Sequence, residues 1–435
     1  MFYLKEKVHI EQENNRRRRE MKNRIILDSP LIEGNRITYS YHAEGEWQKV
    51  FRPEQPFFVE YSADISEIPE SIAVIPFLCN TLPISWVWNA EIQVPSCDWD
   101  FYHCIEAVKQ GYKDMYPSVR FAGTFTAYNI IKNENPRNKG AAAFFSGGVD
   151  AFHTLVEHLE EKPVLLTVWG ADIKFEDETG WQKVFHHLEK TAEEFQLDYV
   201  TIKSSFRLFL NDDELNKKVV ESGDGWWHGF QHGIGIIGHA APITCLMGKS
   251  TVYFASSFTS KEKGIITCAS DPTIDNHLRF CQVKVVHDGY EFDRQDKVHN
   301  ITSFSGKTGI AIPLRVCWQS DGGENCCECE KCWRTILEIT AEGADAKEYG
   351  FPYTKKQLRK FPKIYYDKRN IPPYRRDSVY KRAQDTMRQK IEVTVLPKEL
   401  QWFYKMDIKK LGYHPIYQFL AGCKRKIKTI ININK

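Results

Sequence analysis

The chain has 435 residues, 42% of them hydrophobic, with 59 Lys and Arg set against 57 Asp and Glu. That length holds a sizeable core and two or three domains, and no apolar run approaches the roughly 18 residues of a membrane-spanning helix. The opening MFYLKEKVHIEQENNRRRRE lacks the apolar stretch of a secretory signal, so a cytoplasmic location with reduced thiols is expected.

Residues 1–24 read as a polar lead-in. Residues 25–135 read as a β-rich domain, because RIILDS, NRITYSYHA, QPFFVEYSA and SIAVIPFL are short β-prone runs separated by turn signals. Glu33-Gly34-Asn35 suits a hairpin connection. Within DWDFYHCIEAVKQGYKDMYP, the residues Phe101, Ile105, Val108 and Tyr112 recur at helical spacing, with Asp98 or Asp100 as the cap. A polar link, KNENPRNKG, follows at 132–140.

The pattern then changes. AAAFFS, PVLLTVWG, DYVTIKSS and STVYFASS read as buried strands. They alternate with helical stretches in DAFHTLVEHLEE, GWQKVFHHLEKTAEEFQ and HGIGIIGHAAPITCLMG. This alternation predicts an α/β domain over 140–342, a parallel, doubly wound sheet with helices on both faces. Residues 343–435 read as a basic, mainly helical region with helices near 377–390 and 397–421. Residues 351–435 carry 22 Lys and Arg against 6 Asp and Glu, while the rest of the chain carries 37 against 51. A basic end on an acidic body suggests an anionic partner for that end or contact between the two. For the final KKLGYHPIYQFLAGCKRKIKTIININK, RNA phosphates or an anionic membrane surface are the candidate partners, beside a plain solvated helix.

Ser146-Gly147-Gly148-Val149-Asp150 falls between the first of these strands and its helix. Glycines without β-carbons let phosphate oxygens reach main-chain N–H groups, and a helix N-terminus adds partial positive charge. Ser146 can donate to the same anion. Asp150 suits a Mg²⁺ ion or a helix cap rather than a bare phosphate. A simple strand–turn–helix junction with an aspartate cap is the plainer alternative.

Seven of the twelve cysteines are scattered and read as small buried hydrophobes. The others fall in CWQSDGGENCCECEKCWRT, where Cys317, Cys326, Cys329 and Cys332 give C-x8-C-x2-C-x2-C. Two C-x2-C steps present thiolates to a single ion, and four soft thiolates favour Zn²⁺. Cys327 competes with Cys326 as a ligand. Disulfides are the alternative, disfavoured by the expected compartment.

Strand-SGGVD-helix resembles the signature of the PP-loop ATP pyrophosphatases, usually Ser-Gly-Gly-x-Asp-Ser. Joined to the downstream cysteine spacing and an arginine shortly after it, the pair resembles the 7-cyano-7-deazaguanine synthase family of queuosine biosynthesis. The likeness covers residues 140–340. It implies a fold of the adenine nucleotide alpha hydrolase-like, HUP type, with ATP and Mg²⁺ at Ser146, Gly147, Gly148, Val149 and Asp150. It also implies a structural Zn²⁺ on Cys317, Cys326, Cys329 and Cys332. The implied activity adenylates a carboxylate or amide with release of pyrophosphate, for amide or nitrile formation on a small-molecule acceptor. Ala151 stands where that family usually has a second serine, a gap that His153 or Thr154 would have to cover. The family's Gly-Tyr-Pro-Asp-Cys segment is replaced by SSFTSKEKGIITCASDPTIDNHLRF, and an Arg-Asn pair by WWHGFQHG. A different acceptor is therefore expected.

His228, His232, Ser256 and Ser257 are candidate substrate contacts, since they fall near predicted loops at the carboxyl edge of the sheet. His239 shares the spacing of the first two, with a second metal site as the lesser reading. Trp226 and Trp227 read as packing, with stacking on a planar ring as the alternative. Asp271 reads as a turn residue before a proline, and His287 and Asp288 as the end of a strand. Arg294 and Lys297 are candidates for pyrophosphate. Three other functions fit: an RNA-modifying enzyme of the same fold, an amidating enzyme of sugar or polysaccharide biosynthesis, and a non-catalytic nucleotide-binding or interaction module.

Overall fold

The computed structural model describes residues 23–317, 323–362, 371 and 373–411. The expected lead-in up to residue 22, and the basic end from residue 412 onward, lie outside the described residues.

In chain order the strands are β1 (Arg24–Leu27), β2 (Leu31–Glu33), β3 (Arg36–Tyr39), β4 (Tyr41–Glu44) and β5 (Phe57–Tyr61). After helix α1 (Ile75–Trp88) come β6 (Glu91–Asp98), helix α2 (Trp99–Met115) and β7 (Thr124–Ile131). The alternating part follows: β8 (Ala141–Phe144), α3 (Val149–Glu157), β9 (Val164–Trp169), α4 (Glu178–Phe195), β10 (Tyr199–Ser204) and β11 (Thr251–Ala255). It closes with β12 (Arg279–Phe280), β13 (Val283–Asp288), α5 (Arg294–Thr308), α6 (Glu330–Ala341) and α7 (Lys381–Lys390).

Two compact units divide the chain. Among the described residues, the first takes 23–146, 157–257 and 266–290; the second takes 147–156, 258–265 and those from 291 to 411. The first unit holds both sheets. Its nine-stranded sheet runs β12-β13-β11-β8-β9-β10-β5-β3-β2, and its four-stranded sheet runs β4-β1-β6-β7. β13, β11, β8, β9 and β10 are mutually parallel, as the strand–helix alternation predicts. From β8 the chain steps outward through β9 and β10, then returns to place β11 and β13 on the other side of β8. Strand order therefore reverses at β8.

Segment 25–135 extends this same sheet: β5 pairs antiparallel with β10 through Ile202 and Tyr61, and β3 and β2 follow as a hairpin turned at Gly34-Asn35. The stretch read as a strand from SIAVIPFL is instead helical, a short turn at Glu70–Ala73 running into α1. All fourteen residues of α1 are buried. A helix enclosed on every side loses its amphipathic rhythm, and an apolar run read by period alone is then ambiguous. Asp98, one of the two expected caps, accepts the N–H of Phe101 at 3.1 Å and starts α2. Aromatic rings fill the core of this unit, with Phe57 stacked on Phe209 at 4.5 Å and Trp226 on Phe230 at 5.3 Å.

Cys245 and Cys281, two of the scattered cysteines, are joined as a disulfide with Cα atoms 5.8 Å apart. The reading of the scattered cysteines as small buried hydrophobes is corrected at this pair. The remaining scattered cysteines among the described residues are buried and free.

The second unit is helical. Asp293 and Asp296 form a reciprocal capping box at the start of α5, and Trp333 on α6 packs against Phe361 with centroids 4.4 Å apart. Among the described residues, no helix is long and apolar enough to cross a membrane.

Candidate functional site

Ser146 is exposed just beyond the carboxyl end of β8, at the strand where the order reverses. In open α/β sheets the crevice at such a reversal is where ligands sit. Ser256, beyond β11, is buried with its N–H on the carbonyl of Asp288 at 2.8 Å, while Ser257 is exposed.

The rest of the loop belongs to the second unit. Gly147 has φ 75°, in the left-handed region where a β-carbon is strained, and its carbonyl accepts the N–H of Arg315 at 2.7 Å. Val149 begins α3. Asp150 lies in the first turn and meets Nζ of Lys297 at 3.1 Å and a guanidinium nitrogen of Arg294 at 3.6 Å. Burial alone would raise its carboxyl, but the charges of Lys297 and Arg294 outweigh that and hold it at about 2. Two residues expected to face pyrophosphate thus pair with the loop aspartate. Ala151 is buried, as are His153 and Thr154. His153 meets Asn300 at 3.2 Å and packs on Phe292.

A further charge network spreads along α5 and α6. Arg294 donates to Glu338 and to the Thr335 hydroxyl, each at 2.9 Å. Glu330 accepts the Tyr380 hydroxyl at 2.6 Å and lies 3.7 Å from Arg334. Burial tends to raise the Glu330 carboxyl, yet Arg334, Tyr380 and Arg375 bring it below its ordinary value. Glu338 is raised, by burial first. Beside this network, Glu330, Lys331, Arg334 and Arg375 line a cavity of about 280 Å³. Three cations against one carboxylate suit an anion.

The cysteine cluster is built by a turn and a helix start. Cys329 is the N-cap residue of α6, and Cys332 lies in its first turn. The sulfurs of Cys317, Cys326, Cys329 and Cys332 all lie within 4.8 Å of one another. Cys317 is 3.4 Å from Cys326 and 3.7 Å from Cys329, and Cys326 is 4.0 Å from Cys332. Four thiolates about 2.3 Å from one tetrahedral zinc stand about 3.8 Å apart, so the cluster is compatible with zinc. Cys327 is outside it: with φ 53° it directs its sulfur at the Asn325 carbonyl. Asn325 accepts the N–H groups of Val316 and Cys317 and donates to the carbonyls of Leu314 and Gly350. Glu328 offers its N–H to the sulfur of Cys326 at 3.4 Å. Such outer contacts orient ligands and shape affinity.

In the first unit, Nδ1 of His228 lies 3.0 Å from both carboxylate oxygens of Asp224, and the ring of His232 packs edge-on against Trp227 with centroids 5.2 Å apart. His239 does not join them. It is fully buried between the Ser204 hydroxyl and the Ile236 carbonyl. Trp226 packs in the core, and Trp227 carries the Arg207 guanidinium 4.1 Å above its ring. Asp271 caps a short helical turn, as expected before a proline. His287 pairs with Asp275 at 2.9 Å, and Asp288 with His158 at 2.8 Å.

The chain matches no protein-family model, no curated protein and no solved structure.

Proposed function

We propose that the chain is an ATP-dependent carbon–nitrogen ligase of the PP-loop type, acting on a small carboxylate or amide acceptor. The observation that carries this reading is the place of Ser146-Gly147-Gly148-Val149-Asp150, which leaves β8 at the point where strand order reverses and runs into the first turn of α3. Main-chain N–H groups there would hold the phosphates, and Asp150 would hold Mg²⁺, which would offset their negative charge. The acceptor oxygen attacks the α-phosphorus, pyrophosphate leaves, and the adenylated carbon takes an amine with loss of AMP. The protein's part is positioning and charge neutralisation. Zn²⁺ on the four cysteines would be structural, because four protein ligands leave no open coordination position.

The test is ATP turnover by purified protein with candidate acceptors added singly. Acceptor-dependent AMP and pyrophosphate in equal amounts support the ligase. ATP bound in the presence of Mg²⁺ but never cleaved, across acceptors and ammonia, supports the non-catalytic nucleotide-binding reading instead. That second reading is favoured by one observation: the carboxylate of Asp150 is already engaged by Lys297 and Arg294.

A further inference from the structure

Arg294 and Arg334 both belong to the second unit, yet their surroundings differ. The Arg294 guanidinium donates to Glu338 and Thr335 at 2.9 Å each and faces Asp150 at 3.6 Å. Arg334 is as enclosed, with 11% of its side chain exposed, but it makes no hydrogen bond among the described residues. Its Nη1 stands 3.7 Å from Oε1 of Glu330, beyond hydrogen-bond length. A guanidinium carries five N–H donors, and leaving them unmet inside a protein is costly. Such a group calls for a partner from outside the chain.

Arg375 repeats the pattern. Its Nη1 lies 4.0 Å from Oε2 of Glu330, and it too makes no hydrogen bond among the described residues. Glu330 is anchored on one side only: Oε1 accepts the Tyr380 hydroxyl at 2.6 Å, while Oε2 accepts no hydrogen bond among the described residues. These three residues and Lys331 line the cavity of about 280 Å³, close to the lower end of pockets that hold small ligands.

Helix geometry fixes where the cavity lies. Glu330, Arg334 and Glu338 are spaced by four and share one face of α6. Glu338, the partner of Arg294, is about 12 Å along the axis from Glu330. Arg294 and Asp150 therefore gather at one end of this row and the cavity at the other. None of the four lining residues comes from the glycine loop.

Charge and shape select the ligand. Two guanidinium groups and one ammonium against one carboxylate leave the cavity with an excess of two positive charges. A dianion cancels them, and guanidinium groups match phosphate oxygens through paired N–H donors. Glu330 adds a discrimination. A carboxylate accepts the O–H of hydrogen phosphate, whereas sulfate has the same shape and charge but no proton to give.

We propose that Arg334, Arg375 and Lys331 bind hydrogen phosphate, free or as the end group of a small molecule other than ATP, and that Glu330 selects it over sulfate. Phosphate oxygens take the open N–H donors of the two arginines, and the phosphate O–H goes to Oε2 of Glu330. The site goes beyond the ligase reading and stands whether or not the chain cleaves ATP.

The experiment is calorimetric titration of the full chain, without ATP, by inorganic phosphate and by sulfate, with zinc content measured on every sample. The expected result is one phosphate per chain, with sulfate at least about ten-fold weaker. Arg334→Gln and Arg375→Gln should each weaken phosphate by about ten-fold or more with zinc content unchanged. The Arg375 side chain is 36% exposed, so its variant tests the site without disturbing the core. Glu330→Gln should erase the preference over sulfate, because an amide can donate to a sulfate oxygen. Phenyl phosphate separates the two sources: if it displaces inorganic phosphate the ligand is an ester, and if it does not the ligand is the free ion. Absence of phosphate binding, equal affinity for sulfate, or an affinity unchanged in both arginine variants overturns the proposal. Variants that lose zinc and keep phosphate assign the cations to charge balance at the metal centre, and overturn it too. So does displacement of phosphate by Mg²⁺-ATP with Arg334→Gln weakening both by the same factor, which gives the cavity to the nucleotide.

Discussion

Oδ1 of Asn325 accepts the N–H of Cys317 at 3.2 Å, so the first sulfur of the candidate metal centre is positioned by a side chain outside the four-cysteine group. The same amide holds Val316, Leu314 and Gly350. Asn325→Ala leaves several buried backbone groups without that partner, at about 1–3 kcal/mol each. The expected outcome is a drop in stability of about 3 kcal/mol and weaker zinc retention, read by chemical denaturation and by competition with a chelating dye.

The cysteines themselves separate cleanly. Cys329→Ser should abolish stoichiometric zinc and lower the melting temperature of the second unit. Cys327→Ser should keep one zinc per chain, because that sulfur turns away from the other four. Elemental analysis of both purified variants decides the ligand set.

Asp150 gives the second unit an acid limit. Its folded value of about 2 lies below the ordinary 3.8. The stability it contributes is present above pH 4 and is lost as pH falls towards 2. The shift corresponds to about 2 kcal/mol. Asp150→Asn removes the charge facing the Lys297 ammonium, whose side chain is 2% exposed. It should cost about 3 kcal/mol at neutral pH and flatten this acid limb, as measured by urea unfolding at several pH values.

His239 acts over a different range. Burial lowers its imidazole to about 4, and the neutral ring with its proton on Nδ1 serves both Ile236 and Ser204. The unfolded chain binds that proton near pH 6.5, so stability falls as pH drops from 6.5 to 4. The full effect is about 3 kcal/mol. His239→Gln should reduce the slope in that interval. An unchanged slope would show that another group sets it.

The parallel strands and the glycine loop were legible because their signals are local. Apolar runs bounded by turns at Ala141–Phe144, Val164–Trp169 and Thr251–Ala255 leave few alternatives, and C-x2-C spacing narrows which sulfurs can meet, although only the structure decides between Cys326 and Cys327. The 70–88 segment was not, since α1 is buried on every side and offers no period. Nor does any local pattern announce that β5 pairs with β10, for Tyr61 and Ile202 are 141 positions apart. The partner of His239 was missed for the same reason, since the Ser204 hydroxyl that it meets at 2.8 Å lies 35 residues earlier.

The ion pair between Lys297 and Asp150 spans 147 residues of sequence. Ribosomes add about 5–20 residues per second, so the carboxylate is made roughly 7–30 seconds before its ammonium partner. During that interval Asp150 is without the two charges that meet it in the finished unit, so the charge pairing around the loop can be completed only after most of the chain is made.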